Sequence, residues 1–238
     1  MDTQLYFWKP LMKKHKEELL LVEKYYTRTK IQFDNIESEA DEYANSWFND
    51  FPATEDTDPG TVAEWATEKG IDFYETLSVM KSNHLLMTIS MLYHIWEQQL
   101  IKFTIKELGV RIKFEPKCLD FKDVQKLFIL HKVDITKTKA WIVIKELKLL
   151  TNTIKHGEGD SAHKLRKMRP DFFKLNLVHG SDSLELYDGA VLLNEYSLQV
   201  QENDLNKYIL ATQNFWDEMP ERAYADINDV LNYLNGGK

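Results

Sequence analysis

Asn152 and His156 stand four residues apart, in a stretch that also carries Lys145, Lys148 and Lys155, with Trp141 upstream. At about 100° of rotation per helical residue, these side chains fall within roughly 60° of the Trp141 direction. One helix face would then hold three ammonium groups, an amide and an imidazole. Neutral imidazole accepts a proton near physiological pH and its protonated form donates one. Lysines hold phosphate, and an indole face stacks on a base. Val143, Ile144, Leu147, Leu150 and Ile154 occupy another arc and are expected to face a core. Arg166 and Arg169, just downstream, are further candidates for phosphate contact. A plainer account covers the same residues: the helix dipole favours Lys and His near a C-terminus, and Gly157 is an ordinary C-cap.

Other chemistries lack their signatures. A single cysteine, Cys118, makes no intramolecular disulfide and no Cys-rich metal cluster. His94 and Glu97 share a helix face, but a core histidine accounts for them, so neither metal nor cofactor is expected. No phosphate-cradling glycine motif and no nucleophile elbow occurs. The 238 residues are enough to bury a sizeable core, and 43% hydrophobic with 29% charged residues describes a folded chain. The N-terminus lacks a signal-peptide layout, and the longest apolar stretch, near Leu85 to Trp96, is too short to span a bilayer. With one cysteine, a reducing compartment is expected, so the chain reads as cytoplasmic and without a membrane partner.

Charge is unevenly placed within the net −8. Asp34 to Glu75 holds thirteen acids against one base, a local balance of −12, whereas Lys132 to Arg169 holds ten bases against four acids, +6. Ordinary solvated faces account for both runs. The sharper reading is a basic surface for an anionic ligand, guarded by the acidic segment.

Several elements must position these groups. A first helix is expected from Pro10 to about Asn49, on apolar spacings of three, four and seven. Phe51 to Gly60 reads as a loop, and a short helix from Thr61 ends at Gly70. Ile71 to Leu108 is apolar all round, so a central helix is expected there, stopping at Gly109. Phe121 to Lys132 follows as a helix with Asp120 as its N-cap. The motif helix spans Thr136 to His156, and another runs from Asp160 to before Pro170. Alternation around Asp188-Gly189 predicts a β-hairpin over 183–200. Asn203 or Asp204 would cap a helix ending near Pro220, and a last one covers Asp226 to Leu234. The fold class is therefore mainly α, a helical bundle with long antiparallel helices and a small C-terminal β-hairpin, read as a single domain over 1–238.

The stretch Leu149-Leu150-Thr151-Asn152-Thr153-Ile154-Lys155-His156-Gly157 resembles the signature of HEPN-domain proteins (higher eukaryotes and prokaryotes nucleotide-binding). That signature is an arginine, a polar residue and then a histidine. The helix around Leu92-Tyr93-His94-Ile95-Trp96-Glu97 is similar to the long helix beside the motif, so the likeness covers roughly 71–169. It implies a helical bundle that forms a homodimer and brings two motifs into one cleft. The family includes metal-independent ribonucleases of toxin–antitoxin, phage-defence and RNA-processing systems, and also non-catalytic members. RNA or a nucleotide as ligand, and an antitoxin protein as partner, are what the resemblance implies. Asn152 matches the polar position and His156 the histidine, but Thr151 occupies the arginine position. Lys148 or Lys155 could replace its charge but not its bidentate fork. Two functions stay open: a nucleic-acid- or nucleotide-binding protein without catalysis, or an endoribonuclease using His156 and Asn152.

Overall fold

The computed structural model describes residues 2–114, 119–174, 182 and 198–236. The chain is mainly helical and groups into two compact units. One comprises Met1–Lys24, Thr88–Asn152 and Gln201–Lys238; the other comprises Tyr25–Met87 and Thr153–Val200. Among the described residues, no helix is long and apolar enough to cross a membrane.

In the first unit, strand β1 (Asp2–Tyr6) pairs antiparallel with β2 (Arg222–Asp226), with Thr3 opposite Ala225 and Leu5 opposite Ala223. These four side chains are the buried ones, so the period-2 alternation turns one face inward. Neither strand is expected from the sequence. Five residues are few for a periodicity, alanine is a poor strand former, and the partner lies over two hundred residues away. The predicted hairpin over 183–200 lies outside the described residues except for 198–200, which are not strand.

Helix α1 (Lys9–Thr29) begins in this unit and buries Met12, His15, Leu19 and Val22 at spacings of three and four. The far part of α3 (Pro59–Gly109) buries Ile89, Leu92, Tyr93, Trp96, Leu100 and Phe103. Around them lie α4 (Phe121–Leu130), the first part of α5 (Trp141–His156), α7 (Glu202–Asp217) and α8 (Ile227–Gly236). The core is aromatic. Phe7 stacks on Phe103 at 4.7 Å, and Trp96 meets Phe215 edge-on at 5.1 Å. Gln99 ties three groups together there: its amide donates to the His15 carbonyl and to Glu18, and its carbonyl accepts from the Trp216 indole.

The second unit contains the end of α1, α2 (Ile36–Asp50), the first part of α3, the end of α5, α6 (Asp160–Met168) and a 3-10 turn at Pro170–Phe173. Two expectations are corrected here. The first helix does not reach Asn49, because a 3-10 turn at Lys30–Phe33 and Asn35 at a non-helical N-cap separate α1 from α2. Asp and Asn compete with helical hydrogen bonding and favour such breaks. Gly70, conversely, ends nothing: α3 runs through it for 51 residues. A Cβ at Gly70 would lie 2.9 Å from the Ala44 Cβ and 3.3 Å from the Ala40 carbonyl oxygen. The glycine therefore permits close approach of α2 to α3.

Candidate functional site

The N-terminus of α5 is fixed from outside its own sequence. Backbone N–H groups of Lys139 and Ala140 donate to the two carboxylate oxygens of Glu218, at 2.6 and 2.9 Å, at the end of α7. A carboxylate there satisfies orphan donors and complements the helix dipole. At the other end Gly157 adopts φ 71°, and its N–H donates to the Thr153 carbonyl at 2.9 Å, a left-handed cap. The helix starts at Trp141 rather than Thr136, since Ile135–Lys137 form a separate 3-10 turn whose N-cap is Asp134.

Within the first unit, Ile144, Leu147 and Leu150 are buried as the periodicity predicts, and Val143 is half-buried. Glu146 is buried too, which the sequence does not suggest. Its carboxylate accepts from the Lys207 ammonium at 2.8 and 3.0 Å and from the Tyr208 hydroxyl at 2.8 Å. These partners come from α7 and carry no local signature.

Lys145 is exposed, while Lys148 and Asn152 are half-buried. The Lys148 ammonium lies 4.3 Å from the centre of the Phe121 ring, and the Trp141 ring lies parallel to Phe121 at 6.3 Å. Burial pushes the Lys148 ammonium below the usual lysine range; the Glu97 charge opposes this in part. Glu97 itself accepts from the Tyr93 hydroxyl at 2.8 Å. The Tyr93 phenol is driven far above its ordinary range, mainly by burial and then by the Glu97 charge. The result is a cation over one aromatic ring, a second ring beside it, and Lys145 and Asn152 along the same helix. Such a group can hold an anion while offering an aromatic surface.

Thr151 is only 2% exposed, and its hydroxyl has no hydrogen-bond partner among the described residues. Its side chain therefore belongs to the packed side of α5.

In the second unit, Lys155 and His156 are exposed, and their side chains make no hydrogen bond or ion pair among the described residues. Arg166 is heavily engaged. It donates from both terminal nitrogens to the Glu158 carboxylate at 3.0 and 2.6 Å, also pairs with Asp182, and lies over the Phe173 ring. Those carboxylates raise its pKa further, and the guanidinium in turn holds Glu158 below the usual carboxylate range. Arg169 pairs with Asp171 at 2.7 Å and covers the Phe172 ring at 3.7 Å. Both guanidinium groups thus serve the packing of α6 against the turn that follows it. Among the described residues, no group of three His, Cys, Asp or Glu side chains is arranged to hold a metal ion.

No family model, no curated protein and no solved structure matches this chain.

Proposed function

We propose that this chain is a HEPN-like protein that binds a nucleic acid or nucleotide without cutting it, working as a homodimer in a toxin–antitoxin or phage-defence setting with an antitoxin partner. One observation carries the binding part: Lys148 lies over Phe121 beside the parallel Trp141 ring, with Lys145 and Asn152 on the same helix. Lysine charge would meet phosphate while an aromatic face takes a base. Loss of catalysis is supported by Thr151, which is buried in the arginine position of the motif, and by the ion pairs that engage Arg166 and Arg169. Glu97 offsets part of the Lys148 charge, which favours modest affinity.

A second reading has one observation in its favour: His156 is exposed and has no side-chain partner among the described residues. An active ribonuclease would use His156 to take the ribose 2′-hydroxyl proton, or to supply one to the leaving 5′-oxygen, with Asn152 orienting it.

Binding of a labelled single-stranded RNA by fluorescence anisotropy, with cleavage followed on the same RNA, separates these readings. Lys148→Met keeps the carbon stem and removes the charge; it should weaken binding about fivefold and flatten the salt dependence. An unchanged affinity in Lys148→Met, or no RNA binding by the native chain, would overturn the binding reading. Cleavage by the native chain that vanishes in His156→Ala would establish the second reading instead.

A further inference from the structure

We infer that the aromatic hollow on α2 docks a lysine- or arginine-rich segment of a partner protein, seating a cationic side chain between Tyr43, Trp47 and Phe51 with Asp50 at its edge. The hollow measures about 420 Å³ and is also lined by Ser46 and Pro52. It belongs wholly to the second unit and is independent of the α5 residues of the first.

The geometry begins with spacing. Tyr43 and Trp47 are separated by four residues on α2, and Phe51 follows four later at its C-cap, so the three project from one side of the helix. Each ring is braced. Tyr43 stacks on Phe73 of α3 at 4.6 Å, and Phe51 packs between Trp47 at 5.2 Å and Trp65 at 5.7 Å. Tyr43 nevertheless remains 42% exposed, so the side of its ring away from Phe73 is available to a ligand. The Asp50 carboxylate is steadied by the Ser46 hydroxyl at 3.2 Å. The site therefore exists before any ligand arrives, which limits the ordering cost of binding.

Charge selects the occupant. Thirteen acids and a single base lie between Asp34 and Glu75, so the hollow sits in a strongly negative stretch. A second hollow, between α2 and α3 and of about 480 Å³, is edged by Glu37 and Asp41. Anionic ligands are repelled from such a field, and a purely apolar peptide would gain nothing from the carboxylates. Cations are favoured twice, by the carboxylates and by the negative faces of the rings. Acids spread over some forty residues suit an extended basic segment better than one small cation.

The test uses the full chain and a fluorescein-labelled peptide alternating lysine, arginine and serine, titrated by anisotropy, with a glutamate-substituted peptide as control. The native chain should bind the basic peptide and not the acidic one. Trp47→Leu and, separately, Asp50→Asn should each weaken binding about fivefold, while Asp229→Asn in the first unit leaves it unchanged. Asp50 is exposed, so Asp50→Asn remains informative even where Trp47→Leu fails to fold. No binding by the native chain would overturn the inference. So would binding as tight as native by both hollow variants, which means diffuse charge attraction, or saturation by tetramethylammonium without displacement of the peptide.

Discussion

Thr151 is buried without a hydrogen-bond partner for its hydroxyl among the described residues, so its environment offers little to a charged group. A guanidinium placed there would enter the packed side of α5, where the native hydroxyl meets no partner among the described residues. Thr151→Arg should therefore destabilise the chain by more than about 3 kcal/mol, the cost of an uncompensated buried charge. Thr151→Val removes the unpartnered hydroxyl and should be neutral or stabilising by up to about 1 kcal/mol. Chemical denaturation measures both, and a Thr151→Arg chain as stable as the native one would refute this account of the position. At this scale the sequence shows the residue types and the helix face on which they fall. It does not show what each touches. Lys148 over Phe121, Glu146 beneath Lys207 and Tyr208, and Arg166 between Glu158 and Asp182 each depend on a second element.

Two residues at helix level carry backbone roles that substitution should expose in opposite directions. Lys132 follows α4 with φ 64°, where a Cβ is unfavourable. Its N–H donates to Ile129 and that of Val133 to Phe128, the paired bonds of a Schellman cap. Lys132→Gly keeps both bonds and relieves the strain, so stability should rise by about 1 kcal/mol. Gly70→Ala should do the reverse. Helix propensity would favour alanine by about 1 kcal/mol, but the 2.9 Å approach to Ala44 forces α2 and α3 apart at a cost of about 1–3 kcal/mol. Thermal melts of both variants check the pair; a Gly70→Ala chain that melts higher than native would mean the helices part freely. These helix limits explain which elements were legible. Asp120 announces α4 by its type and position, and its carboxylate indeed accepts from the Lys122 and Asp123 N–H groups. Helix α7 starts earlier than expected: Gln201, rather than Asn203 or Asp204, holds the N-cap, and Asp204 reaches back to its N–H at 3.0 Å. Gly70 misleads because a glycine that ends a helix and one that lets two helices touch look alike in one dimension.

At the scale of the whole molecule, three histidines couple folding to pH in one direction. His15 lies against Trp216 at 4.7 Å with both ring nitrogens buried, and burial lowers its pKa while Glu18 opposes. His84 stacks on Tyr26 at 5.1 Å, and burial lowers its pKa as well. His131 ties the first strand to α4: its Nδ1–H donates to the Leu127 carbonyl, and Nε2 lies 3.0 Å from the Thr3 hydroxyl. Burial again lowers its pKa, against a smaller upward pull from the Leu127 carbonyl. Each group binds a proton less readily folded than unfolded, where its ordinary value is 6.5. Between the two values the unfolded chain binds more protons, so stability rises with pH. Their combined contribution is fully present above about pH 6.5 and is lost as the pH falls through that value toward the lowered folded ones. The melting temperature should accordingly drop between about pH 7.5 and about pH 5.5, well above the range in which ordinary carboxylates titrate. A melting temperature that is flat or rising across that interval would contradict the burial of these rings. Loss of the His131 share should also appear locally, as faster amide exchange in the β1–β2 pair before the rest of the first unit opens.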